Sequence, residues 1–265
     1  MILTILAVVF LAPIFIILFN SFKGKLYISD APFKLPTAET FSGLQNYIDG
    51  LSKTGFLSAF GWSIFITFFS TIVIVLFTAM TGWYITRSKT KVSTSLYFIF
   101  VFSMIVPFQM VMFTMSKVAN MLNLDNPVGL IVLYLGFGAG LSIFMFSGFV
   151  KSIPIDIEEA ALIDGCNPIK TFFLIVLPLL KPICITVAIL NVMWIWNDYL
   201  LPSLVLKSDY KTIPMAVQYL RGGYGAIDMG AMMAVLVLAI IPIIIFYLTC
   251  QKYIIEGVAA GAVKG

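Results

Sequence analysis

Residues suited to chemistry are few in this chain and unevenly placed. An acidic group, Asp156, Glu158, Glu159 and Asp164, lies between Lys151 and Lys181. Clustered carboxylates could ligate a cation, work as general acids and bases, or dock onto a basic or amide-bearing partner. Successive helical residues point about 100° apart, so Glu158 and Glu159 do not converge on one ion, and no other ligands stand nearby. The sequence has no histidine. That removes a histidine base, a Ser-His-Asp triad and any histidine-held metal. Cys166, Cys184 and Cys250 are odd in number and scattered, which suits neither a disulfide framework nor a paired-cysteine metal or redox site. Gly136, Gly138 and Gly140 invite a nucleotide-loop reading, but they lack its full spacing and sit inside an apolar run, so close helix packing is expected. No G-x4-G-K-[S/T] occurs, so any ATP-driven process needs a motor on another chain.

The elements that carry these groups follow from composition. Of 265 residues, 61% are hydrophobic and only 11% charged, with a mean hydropathy of +1.06. A soluble domain keeps about a quarter of its residues charged, so this is an integral membrane protein whose solvent is lipid. The net charge of +4 is small and dispersed, which excludes nucleic acid as a partner. A bilayer core of about 30 Å needs roughly 20 apolar residues per helix. Six runs are counted as spans: 1–22, 54–86, 92–116, 126–150, 182–197 with its continuation past Asp198, and 229–251. The first lacks a basic leading region and is too long for a signal peptide, so it is expected to stay as a helix. The chain starts inside that run, which leaves a basic tail ahead of it as an open expectation. The second run exceeds one span, so 55–62 is expected at the interface or in a turn before the helix. Pro13, Pro107 and Pro242 are expected as tolerated kinks.

Charge counting does not settle sidedness. With six spans the termini share a side, and each side carries eight basic residues. The dense cluster Arg87, Lys89, Lys91 between two spans leans towards termini inside.

The segment 151–180 is an unusually structured connector. Pro154 suits a first helical turn, Asp156, Glu158 and Glu159 favour its positive end, and Gly165 suits a left-handed stop. Asn167-Pro168 reads as a cap followed by proline at the first position of a second short helix. A helix-turn-helix outside the bilayer is expected, far longer than a plain connector requires.

Glu159-Ala160-Ala161, three residues, Gly165, nine residues, then Ile175-Val176-Leu177-Pro178 fills every fixed position of E-A-A-x3-G-x9-I-x-L-P. This resembles the signature of binding-protein-dependent ABC importer permeases. Ser152-Ile153-Pro154, Glu158 and Asp164 around it resemble the carbohydrate importers of the maltose type. The C-terminal run from Gly257 to Gly265 looks like the tail of the smaller of that system's two permeases. Cys166 departs from the small residues usual at its position.

The resemblance implies an all-α integral membrane protein, 1–265, with six transmembrane helices of the type I ABC importer permease fold and a cytoplasmic coupling helix. It implies an ATP-driven sugar or oligosaccharide importer, and no catalysis by this chain. Partners would be a second homologous permease, two ATPase subunits that hold ATP and magnesium, an extracellular or periplasmic solute-binding protein, the sugar and membrane lipid. The chain itself would need no cofactor and no metal. Both termini would be cytoplasmic in a bacterial plasma membrane. Glu158, Glu159, Ala160, Ala161, Asp164 and Gly165 would couple to the ATPase, with the alanines as a closely packing face and Glu159 as the docking carboxylate. The tail 253–265 would reach the ATPases through Gly261, Ala262, Val263, Lys264 and Gly265. In the external loop 207–228, Arg221, Gly222, Gly223, Tyr224 and Gly225 would form the tip that meets the binding protein. A sugar path needs hydrogen-bonding amides beside aromatic faces. Counting about 1.5 Å per residue from Pro182, Asn191 falls about 14 Å in, Trp194 about 18 Å and Asn197 about 23 Å. With Tyr199, and Gln109 after the Pro107 kink, these are the path candidates, against interhelical bonding and an interfacial aromatic belt. A secondary transporter driven by an ion gradient is the alternative, for which Asp198 would be the one intramembrane carboxylate.

Overall fold

A computed structural model describes residues 1–220 and 228–262, with side chains as far as residue 253. Its described residues form helices and no strand; a lone bridge pairs Lys23 with Phe41. The elements are α1 (Ile2–Asn20), α2 (Lys25–Asp30), α3 (Gln45–Thr54), α4 (Phe56–Ser88), α5 (Lys91–Ser103), α6 (Phe108–Met121) and α7 (Pro127–Val150). There follow α8 (Asp156–Ile163), α9 (Pro168–Thr171), a π turn (Phe172–Val176), α10 (Leu177–Leu179), α11 (Lys181–Asn197), α12 (Leu200–Val205), α13 (Ile213–Tyr219) and α14 (Met229–Ala262).

Four of these are long and apolar enough to cross a membrane: α1, α4, α7 and the Met229–Tyr253 part of α14. Two bent pairs bring the number to six if each is one span. Lys91–Ser103 and Phe108–Met121 meet at 106°, and Pro168–Leu179 and Lys181–Asn197 at 78°. The kink expected at Pro107 is therefore a break. Pro107 caps α6 in extended backbone (φ −62°, ψ 134°), and a proline disfavours helical geometry in the residue before it and donates no hydrogen bond to α5. Pro13 and Pro242, by contrast, lie inside continuous helices.

Of the two readings of 55–62, the interface or a turn before the helix, the turn is corrected: Phe56 onward is helical. Gly55, left-handed at φ 62°, ends α3, and α4 starts at once. Phe56, Ala59 and Ser63 are buried at helical spacing, which draws these first turns into the helix.

The described chain divides into two compact units. One comprises Met1–Ser63 and Ser208–Leu248. Its organiser is the buried Asn46, whose Nδ2 donates to the carbonyls of Ser21 (2.8 Å) and Lys23 (2.7 Å) and to Ser42 Oγ (3.0 Å). Buried amides must be satisfied, and this one ties the end of α1 to α3. Lys53 at the end of α3 bonds Asp49 (3.1 Å) and Asp228, just before α14 (2.6 Å). A Cβ on Gly50 would lie 2.7 Å from Val235 Cγ2, which shows how closely α3 and α14 approach.

The second unit, Ile64–Lys207 with Thr249–Gly265, carries the acidic connector. Glycines set its helix packing. A Cβ on Gly82 would meet Phe146 Cβ at 2.8 Å, one on Gly138 would meet Ile74 at 2.9 Å, and one on Gly140 would meet Ser103 Oγ at 2.7 Å. The packing role expected of the glycine triplet thus holds for Gly138 and Gly140. Gly136 has nothing within 4 Å. Ala79, Phe146, Val150, Ile153, Phe172, Val176, Leu180 and Val187 form one core cluster joining α4, α7, the connector and α11.

Candidate coupling surface

The connector folds as its capping residues dictate. α8 opens with Asp156, Glu158 and Glu159 in its first turn, where carboxylates complement the positive helix end. Pro154 lies just outside rather than in that turn, because Ile155 is the cap. The helix stops in a paired-bond motif: Gly165 N–H donates to the Leu162 carbonyl (3.1 Å) and Cys166 N–H to that of Ala161 (2.9 Å). Gly165 sits at φ +83°, a region in which a side chain is strained. Asn167 then caps α9 through Oδ1, which accepts from Lys170 N–H (2.8 Å), with Pro168 at the first helical position.

Two of the six expected coupling residues face inward. Glu158 is 6% exposed. Its Oε2 accepts from Trp83 Nε1 (2.8 Å), and its Oε1 accepts from Arg87 Nε (2.9 Å) and is ion-paired with Nη2 at 2.8 Å. Arg87 Nη2 also donates to the Ile153 carbonyl (2.9 Å). Glu158 therefore pins α8 to the end of α4 and is not presented outward, which corrects its expected place on the coupling face. Ala161 is buried as well, so the alanine pair does not form one outward face. Glu159, Ala160, Asp164 and Gly165 are exposed, beside exposed Leu162, Ile163 and Ile169. The outward surface thus mixes apolar side chains with the carboxylates of Asp156, Glu159 and Asp164. The core cluster lies directly behind, with Ile153 and Phe172 from the connector packed among residues of α4, α7 and α11. One ion pair joins α8 to α4, and Ile153 and Phe172 of the connector pack among side chains of α4, α7 and α11.

Arg87 and Trp83 were not singled out as site residues by sequence reasoning. Their signal was modest: an arginine ending an uncharged run, with a tryptophan four residues earlier on the same helix face.

The candidate sugar path is only partly assembled. Asn191 is buried, and its Nδ2 donates to the Val187 carbonyl (2.8 Å) and reaches Ser142 Oγ (3.4 Å). That amide serves the packing of α7 on α11, the alternative given above for it. Asn197 is exposed but bonds back to the Met193 carbonyl (2.7 Å). Trp194 is partly exposed and stands edge-on to Tyr134 (5.4 Å). Tyr134, fully buried and not foreseen, donates to Asp198 Oδ2 (3.0 Å), whose Oδ1 accepts from Leu200 N–H (2.9 Å). Tyr199 and Gln109 are exposed, and Gln109 lies in α6, beyond the break. The tip residues Arg221, Gly222, Gly223, Tyr224 and Gly225 fall outside the described residues, as do Val263, Lys264 and Gly265. Gly261 and Ala262 belong to α14, which runs on through most of the expected tail.

Helical throughout its described residues, with several helices apolar enough to cross a membrane and a capped acidic helix pinned to α4, the chain has the build of a multi-pass membrane protein. The chain belongs to the family of binding-protein-dependent transport system inner membrane components, whose model matches residues 76–259. It is 40% identical to the probable starch degradation products transport system permease protein AmyC of Thermoanaerobacterium thermosulfurigenes, over 98% of this chain and 94% of that one. It is 36% identical to the multiple sugar-binding transport system permease protein MsmG of Streptococcus mutans, over 99% and 95%. The fold matches a crystal structure of a bacterial ABC transporter involved in the import of the acidic polysaccharide alginate, at a TM-score of 0.80 and 24% identity over 95% of this chain and 93% of that one. The chain is a multi-pass permease subunit of an ABC importer, working with ATPase and solute-binding components and not itself an enzyme.

Proposed function

We propose that this chain forms one half of the translocation path for a sugar or short oligosaccharide, beside a second related permease, two ATPases that hold ATP and magnesium, and an external binding protein. Both termini and α8 face the ATPases in the cytoplasm, and the 207–228 loop faces the binding protein. ATPase closure displaces α8, the Glu158–Arg87 pair and the core cluster transmit the movement, and the spans rock open towards the loaded binding protein. The observation that carries this reading is the pinned, outward-facing α8. Its inner side is fixed by Trp83 and Arg87, while Ile163 on its outer side is 86% exposed. The names of the relatives support a carbohydrate cargo. Of the path candidates, Trp194 and Tyr199 keep the exposed aromatic surface a sugar needs.

Vesicles carrying the complete importer test it. Glu159→Lys reverses the exposed charge, and Gly165→Pro forbids the left-handed stop. Both are expected to abolish ATP-driven uptake with normal membrane insertion, and Ile163→Cys is expected to form a crosslink to an ATPase carrying a cysteine in its docking cleft. Normal uptake by both variants would end the coupling assignment.

A further inference from the structure

In the second unit an open groove of about 560 Å³ lies among α4, the Phe172–Leu179 stretch and α11. That volume is within the roughly 300–1,000 Å³ typical of small-molecule sites. Val75, Leu177 and Ala188 are among its apolar walls, and its charged lining residue is Lys181. Lys181 is the first residue of α11, at the 78° break between the two helical segments, and is exposed. It has no carboxylate partner among the described residues. A lysine ending an apolar helix places its ammonium at the membrane–water boundary. Thr71 also lines the groove and is 7% exposed.

We propose that this groove binds an anionic phospholipid, with one acyl chain against Val75, Leu177 and Ala188 and the phosphate beside Lys181. One cation at the rim of otherwise apolar walls suits a phospholipid, whose anionic head and acyl chain are joined in one molecule. A juxtamembrane lysine favours anionic lipid by about fivefold at the membrane surface. The occupied groove would brace the connector against α4 and α11 on the route by which α8 moves the spans. The inference rests on the chain being a membrane permease and not on the cargo it carries.

The test is photocrosslinking in the complete importer, reconstituted in vesicles of equal phosphatidylglycerol and phosphatidylcholine, with a diazirine acyl chain on one lipid or the other and adducts mapped by mass spectrometry. Adducts on the Val75, Leu177 and Ala188 peptides are expected about fivefold more often from phosphatidylglycerol. Lys181→Gln is expected to remove that preference, Lys181→Arg to keep it, and Ala188→Phe to reduce adducts from both lipids. Equal labelling by the two lipids in the unaltered chain would overturn the proposal. So would absence of groove adducts together with a crosslink from Cys184 to the second permease. Neither result depends on sugar uptake, so a failure here is separable from a failure of the importer reading.

Discussion

At single residues, position within a helix decides whether a charge is a joint or a contact. Glu158 and Glu159 are adjacent and alike, yet one is bonded to Trp83 and Arg87 while the other faces solvent. Hydrogen-bonded turns were legible because their chemistry is local: Gly165 and the Asn167-Pro168 cap sit where their types demand. The inward turn of Glu158 was not, since it depends on Arg87, 71 residues away. The Asp49–Lys53–Asp228 clamp carries a pH dependence. Asp49 is held below the usual carboxylate range by its bonds to Lys53 and Gln45. Burial acts to raise Asp228, but Lys53 and the Ala231 N–H outweigh it and the net shift is downward. Lys53 is raised by Asp228 and Asp49. The carboxylates stabilise the clamp above their ordinary value of 3.8 and lose that contribution as pH falls through the depressed values. The lysine contributes fully below 10.5 and is lost as pH rises through its raised value. Lys53 is about half exposed, so the clamp is worth no more than about 1 kcal/mol and weakens with salt. A spin-label distance between Ser52→Cys and Met229→Cys is expected to hold steady from about pH 4 to 10 and broaden outside that window. Lys53→Met is expected to abolish the dependence.

At the level of elements, the apolar runs found the spans but not their shape. The third run is two helices meeting at 106°, because a proline in the sequence announces an interruption without stating its angle. Gly140 helps fix that corner, since a Cβ there would crowd Ser103, Met104 and the Phe100 carbonyl. Gly140→Leu is expected to cost about 1–3 kcal/mol by overpacking, read as a lower thermal midpoint of the detergent-solubilised importer. Gly136→Leu, which meets nothing within 4 Å, is expected to leave it near the wild-type value. The pair separates two glycines that look identical in sequence. For α8, Arg87→Leu leaves the buried Glu158 without its cation, a loss of about 3–5 kcal/mol in comparable buried pairs. Faster hydrogen exchange confined to 151–165, with insertion intact, is the expected signature. Unchanged exchange there would show that the pair does not hold the helix.

For the whole molecule, class and fold were legible because lipid leaves few solutions: satisfied backbone, long apolar helices and a rare polar segment that stands out against them. Sidedness was not, since eight basic residues on each side cancel the charge rule. A lone reporter cysteine at Lys34 is expected to react with an impermeant reagent in intact cells, and one at Lys252 to resist it. The reverse would place α8 outside and remove its ATPase. The source of drive separates an importer permease from a carrier running on an ion gradient, and uptake of labelled oligosaccharide by proteoliposomes holding the complete importer measures it. Uptake is expected to require internal ATP and the external binding protein, and to be unchanged when ionophores collapse the proton and sodium gradients. Uptake that continues without ATP and disappears with the ion gradient would contradict it.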